Sequence, residues 1–223
     1  MKMLNVAIIP ARAGSVRLKN KNRKKINGIS LVNWSVNFAK KLNFLHDIVV
    51  TSDDKVILKD VNLNNKSVIT IDRPKSLAKK ETKSEDVIFH VLKKYEKLYG
   101  QVSTILLLQP TSPIRSVRLV QSGYRKFVYY KKKKSVVSVS KFHSPNKRNF
   151  KIKNKKLDIS KKYNKNLYQM DGNFYFANPL FLKKYKSFFY KNKTHPIILK
   201  KKKLSIDIDT KEDFNRAKFY LKK

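Results

Sequence analysis

Ile8-Ile9-Pro10-Ala11-Arg12-Ala13-Gly14-Ser15-Val16-Arg17-Leu18-Lys19-Asn20-Lys21-Asn22 reads as the end of a strand followed by a basic loop. The apolar run Val6–Ile9 is the strand, and it stops at Pro10, which cannot donate to a sheet ladder. In an α/β fold the loop after a first strand lies at the carboxyl edge of the sheet, where ligands bind. The small residues Ala11, Ala13, Gly14 and Ser15 leave backbone N–H groups within reach, and Arg12 and Lys21 add cations. That combination suits an oligophosphate. No Gly-Lys-Ser/Thr follows and no GxGxxG is present, so neither standard phosphate motif applies. A basic surface loop is the alternative reading of this stretch.

Working outward, strand-like runs alternate with helix-like ones. Leu31–Leu42 carries a helical apolar stripe, Ile48–Val50 is a second strand and Val68–Ile71 a third. Ser84-Glu85-Asp86 opens a helix with apolar residues from Val87 to Leu98, closed by Gly100. In that helix His90 falls among apolar neighbours, as a core histidine would. Ile105–Leu108 is continuously apolar, like a central parallel strand covered on both faces. A helix over 116–130, strands at 135–139, 173–177 and 197–199, and a helix starting at Asn178-Pro179 complete the alternation. The expected fold class is therefore α/β: a Rossmann-like three-layer α/β/α domain with a mostly parallel sheet, spanning residues 1–223. Residues 141–166 break the pattern. They are Lys- and Asn-rich, and a loop so long in a compact domain suggests an excursion that docks on another subunit or covers a substrate.

Composition narrows the function. The chain has no Cys, so disulfides and thiolate metal sites are excluded. Its apolar runs are too short for a signal peptide or a membrane span, which leaves a soluble cytoplasmic protein as the expectation. The net charge of +38 raises the question of nucleic acid. Only nine of the 53 basic residues are Arg, however, and the Lys is spread along the chain. Arg is the residue that reads base edges and forks onto phosphate, so a solvated Lys-rich surface is favoured over a specific nucleic-acid partner.

Ser205-Ile206-Asp207-Ile208-Asp209 is the sharpest acidic feature in a chain with only 15 Asp and Glu. As a strand it would send Ile206 and Ile208 to the core and Asp207 and Asp209 to a cleft. Two such carboxylates call for a cation, and Mg²⁺ held by one or two carboxylates plus substrate phosphates suits them. In the bland reading Asp209 caps the last helix and Asp207 is exposed. The four His show no metal spacing and no Ser sits in a nucleophile elbow, so metal-assisted phosphate chemistry is what remains.

In order, the blocks Ile9–Ser15 with Lys19–Asn22, Asn27–Leu31, Arg73-Pro74 with Leu77-Ala78, Leu107–Arg115, Gly172 with Tyr175, and Ser205–Thr210 resemble the N-acylneuraminate cytidylyltransferases (CMP-sialic acid synthetases), including relatives acting on legionaminate- and pseudaminate-type sugars. The resemblance covers nearly the whole chain. It implies transfer of a cytidylyl group from CTP to an acidic nine-carbon sugar, with release of pyrophosphate, by a homodimer using Mg²⁺. By position it assigns Ala11, Arg12, Ala13, Gly14, Ser15 and Lys21 to the triphosphate, and Asn22, Arg73 and Ser84 to cytidine. It assigns Gln109, Lys161 and Tyr175 to the sugar, Asp207 and Asp209 to the metal, and catalysis to Arg12, Lys21 and Asp209.

Departures cluster at the sugar end. Lys80 stands where an acid is expected, Lys161-Lys162 replaces an Arg-Gln pair, and Met170–Tyr175 replaces the commoner Arg-x-Asn-Gly-Ala-Ile-Tyr. A 3-deoxy-octulosonate cytidylyltransferase is the enzymatic alternative. A basic nucleic-acid-binding protein on the same fold is the alternative from another class.

Overall fold

The computed structural model describes residues 3–141, 150–159 and 167–222. The elements run β1 (Leu4–Pro10), β2 (Lys25–Ile26), β3 (Ile29–Ser30), α1 (Leu31–Ala39), β4 (Asp47–Ser52), α2 (Lys55–Asn64), β5 (Ile69–Asp72), α3 (Ser84–Tyr99), β6 (Val102–Leu107) and α4 (Val117–Tyr129). There follow β7 (Ser135–Lys141), β8 (Phe150–Lys153), β9 (Lys156–Ile159), β10 (Tyr168–Ala177), α5 (Pro179–Tyr185), β11 (Thr194–Ile198) and α6 (Lys211–Leu221).

The main sheet has the order β11-β7-β10-β6-β1-β4-β5. Strands β6, β1, β4 and β5 pair in parallel, as do β11 and β7, whereas β10 runs antiparallel between β6 and β7. The alternation of β1 shows why the sheet needs two covers: Ala7 and Ile9 join the core under α1, α2, α4 and α6, while Val6 and Ile8 join the core under α3 and α5. This is the expected three-layer α/β/α arrangement.

Local chemistry sets the element ends. Ser30, Asp54, Ser116 and Asn178 each cap a helix by accepting a backbone N–H, and Pro179 occupies the first turn of α5. Thr210 and Asp213 form the capping box of α6. Asn27 and Gly28, both at positive φ, make the two-residue turn between β2 and β3.

Two expectations are corrected, and two local readings are completed. The first strand does stop at Pro10, with Pro10 as its last residue, and the Ala11 N–H still donates to the Thr51 carbonyl beyond it. A helix, α2, fills the interval between the second and third strands. Residues 205–209 are not a strand: a 3₁₀ turn (Lys202–Ser205) precedes an extended segment, whose Ile208 N–H donates to the Thr111 carbonyl. His90 is not a core residue; it is half-buried with Nε2 3.1 Å from the Asp72 carbonyl. In the 141–166 excursion, residues 150–159 form the β8–β9 hairpin beside β10. The rest of it, Lys161 included, lies outside the described residues apart from Lys141.

Candidate active site

Four parallel neighbours end at one edge of the sheet, so their outgoing loops converge there. They deliver the loop after Pro10 from β1, Asp53-Asp54 from β4, Arg73 from β5 and Gln109 from β6. The chain leaves β1 toward β4 on one side and β6 on the other, and a crevice at such a switch point is where this architecture binds ligands. A cavity of about 350 Å³ lies there. Arg12, Ser15, Lys21, Asn22, Arg73, Ser84, Gln109 and Asp209 line it, eight residues singled out from sequence.

Two of the small residues of the first loop use their N–H groups within the protein. The Ala11 N–H is engaged by the Thr51 carbonyl, and the Ala13 N–H donates to Asp53 Oδ1 at 2.9 Å. Gly14, at φ 64, receives Arg12 Nη1 on its carbonyl. These three residues shape the loop, and the cations that border the cavity are Arg12, Arg17, Lys21, Arg73, Lys79 and Lys80.

Asn22 and Arg73 are almost wholly buried, at 6% and 5% exposure. Asn22 Nδ2 donates to the Arg12 carbonyl, and Arg73 Nη2 donates to Asp53 Oδ1 at 3.1 Å. Each keeps one buried polar atom without a partner, Oδ1 on Asn22 and Nε on Arg73. Burial lowers the pKa of Arg73, Asp53 raises it in part, and the nearby Arg12 lowers it again. Two guanidiniums so close together favour an anion between or beside them.

Asp209 stands on the rim between Arg17 Nη2 and Lys21 Nζ, each 2.8 Å from one of its oxygens. A second cavity, about 580 Å³, adjoins the first and shares Arg17 and Asp209 with it. Asp207 lines this second cavity together with Gln169, Lys202 and Arg216. The side-chain alternation expected of residues 205–209 holds without a strand: Ile206 and Ile208 are buried, Asp207 and Asp209 are half-buried. Among the described residues no group of three or more His, Asp or Glu could cage a metal. The donors present suit a hard cation that takes one or two carboxylates and fills its shell with phosphate oxygens and water.

Tyr175 lines neither cavity. Its hydroxyl accepts the Gly172 N–H at 2.7 Å, and burial, aided by Asp171, holds its pKa well above 10. Gly172, at φ 78, lies against Gln109, where an added Cβ would come within 2.5 Å of Gln109 Oε1. Tyr175 thus supports Gln109 from behind. Arg115 does so too, donating to the carbonyls of Gln109 (2.6 Å) and Asn173 (2.7 Å) and to Ser35 Oγ. Burial pushes its pKa down to about 9. Sequence reasoning gave no role to Asp53, Asp54 or Arg115. The polar cluster at the end of the second strand was the one available signal for the two acids.

The sequence model of the cytidylyltransferase family matches residues 6–223. The chain belongs to the cytidylyltransferase family. It is therefore a nucleotidyltransferase. The chain is 32% identical over 221 residues to the CMP-N,N'-diacetyllegionaminic acid synthase of Legionella pneumophila, covering 94% of this chain and 92% of the relative. It is 28% identical over 226 residues to the N-acylneuraminate cytidylyltransferase of Escherichia coli O18:K1:H7, covering 97% of this chain and 52% of that relative. Among solved structures, a CMP:2-keto-3-deoxy-manno-octonic acid synthetase complexed with CTP superposes with a TM-score of 0.75 at 14% identity, covering 98% of both chains. No helix among the described residues is long and apolar enough to cross a membrane.

Proposed function

We propose that this cytidylyltransferase activates an acidic nine-carbon sugar of the sialic, legionaminic or pseudaminic type with CTP. The observation that carries the reading is the cavity at the carboxyl edge, where Arg12, Lys21 and Arg73 meet Asp209. A triphosphate needs cations, and cytosine offers an amino donor beside ring acceptors. Asn22 Oδ1 and Arg73 Nε, the buried acceptor and donor without partners, complement those groups. Uracil would set an oxygen against the Asn22 oxygen. Similarity over nearly full length to a legionaminic acid synthase supports the sugar class. The octulosonate alternative has less behind it, since the solved structure at 14% identity speaks for the fold alone.

In the reaction, the anomeric hydroxyl oxygen of the sugar forms a bond to the α-phosphorus of CTP. The bond from that phosphorus to the bridging oxygen breaks, pyrophosphate leaves, and the hydroxyl proton passes to a base or to water. Arg12 and Lys21 neutralise charge on the triphosphate, and they need no reorganisation as charge shifts to the leaving group. Asp207 and Asp209 would hold Mg²⁺, which when bound supplies further charge neutralisation at the phosphates. Gln109 orients the sugar, backed by Gly172, Tyr175 and Arg115. We place the enzyme in the cytoplasm as a homodimer.

The test is pyrophosphate release from CTP and Mg²⁺ against a panel of acidic nonulosonates, wild type beside Asp209→Ala. Release with one sugar, lost in the variant, is the expected result. No release with any sugar, together with no protection of the fold by CTP, would sink the reading.

A further inference from the structure

The acidic pair that follows β4 belongs to neither cavity lining, yet it ties the loop after β1 to the residue that follows β5. Asp53 Oδ1 accepts two hydrogen bonds: one from the Ala13 N–H in the loop after β1, the other from Arg73 Nη2 beyond β5. Asp54 takes the far end of the same loop, binding Arg23 Nε and Nη2 at 2.6 and 2.5 Å, while its Oδ1 caps α2 through the Val56 N–H. The two neighbours therefore divide the work. Asp54 fixes chain to chain, with no cavity residue among these partners. Asp53 fixes a cavity residue, Arg73, whose side chain is 4% exposed and lies close enough to Arg12 to be repelled by it.

We propose that Asp53 is a positioning residue for CTP selection, holding the Arg73 guanidinium against Arg12 and tying its placement to the phosphate loop through one shared carboxylate oxygen. The inference rests on the CTP reading above. An unsupported Arg73 would swing from Arg12 toward solvent or other anions, and the donor that meets the base would go with it. The triphosphate loop and the base-reading arginine would then lose their fixed spacing. Because one oxygen serves both donors, a displacement of either end is felt by the other.

Two substitutions separate the bonds. Asp53→Asn keeps an oxygen for the Ala13 N–H but removes the charge facing Arg73, whereas Asp53→Ala removes both. We expect Asp53→Asn to raise the KM for CTP roughly tenfold to a hundredfold, the size of a lost charge-assisted hydrogen bond. The KM for the sugar and kcat at saturating CTP should stay within about twofold. Discrimination between CTP and UTP should fall in parallel. In a cycle with Arg73→Met, the two losses should be strongly non-additive, because Asp53 acts through Arg73.

A CTP KM and a CTP/UTP ratio both unchanged in Asp53→Asn would overturn the inference. An equal rise in both substrates' KM, or a loss of thermal stability alone, would also overturn it, since a merely structural carboxylate behaves that way. Calorimetric CTP binding by the same variants decides the matter even if no sugar in the panel is turned over, so failure of the sugar assignment remains distinguishable. A wild type that binds no CTP would overturn both.

Discussion

Asp53 and Asp54 are adjacent in sequence and locked onto fixed partners, whereas Asp207 and Asp209 are separated by Ile208 and border open cavities. Asp54 is 5% exposed on its side chain beside Arg23; Asp209 is 31% exposed between two cations. Both pairs sit in a chain with few acids and a large excess of Lys. In the first pair the acids are consumed in holding backbone and arginine in place. In the second they are presented to a ligand. Charge alone does not distinguish a frame from a functional group; burial of the carboxylate and its place on a cavity wall do.

The comparison breaks first at Asp209. Replacing it with Ala should lower pyrophosphate release about 100- to 1,000-fold, the usual cost of deleting a group that stabilises developing charge. Folding stability should change by less than about 1 kcal/mol, because its ion pairs are partly exposed. Steady-state kinetics and urea unfolding on the same preparation measure both. A large loss of stability with activity retained would put Asp209 in the frame.

Asp54→Ala should do the reverse. It removes a helix cap and strands Arg23, for a combined loss of about 2–3 kcal/mol in urea unfolding. Activity per folded molecule should be retained, and a selective kinetic defect would break the division between the pairs.

A smaller effect follows from pH. Burial raises the Asp54 pKa, but Arg23 and the amides of Val56 and Ile57 outweigh it, so the folded value lies below the ordinary 3.8. A carboxylate depressed on folding contributes stability above its unfolded pKa and loses it as pH falls through the folded value. Acid denaturation should therefore steepen below about pH 4, and Asp54→Asn should flatten that limb. An unchanged limb would remove Asp54 from the frame.

The smallest effect is at Arg17. Its guanidinium is 67% exposed, so Arg17→Ala should change CTP turnover only a few-fold, more at low salt than at high. A loss matching that of Lys21→Ala would make the rim as important as the cavity floor.

The fold was legible because its strands are short apolar runs separated by caps and breakers, as at Ser30, Gly100, Ser116 and Asn178-Pro179. The direction of β10 was not, since a run buried on both faces reads the same for a strand running either way. Helix α2 was overlooked although Asp54 supplied its cap, because its apolar residues sit close to a polar cluster that reads as loop. At the site, Arg12 and Lys21 stood out as cations in a small-residue loop, and Asp209 as one of two acids alternating with Ile206 and Ile208. The Asp53–Arg73 link joins residues 20 apart across two strand ends. No local pattern encodes it. The resemblance assigns Tyr175 to the sugar; in the structure its hydroxyl accepts the Gly172 N–H, next to a register shift in β10 that no local pattern shows.

The antiparallel strand β10 also orders events during synthesis. Residues 4–107 already supply β6, β1, β4 and β5, so the nucleotide half of the sheet can assemble while the rest of the chain is still being made. Strand β7 has no place on that half by itself, for β10 lies between it and β6. It must wait for its sheet partner until β10 has been made. The sheet beneath the phosphate loop can thus form before the remaining strands join it, and Asp209 reaches the cavity last of all.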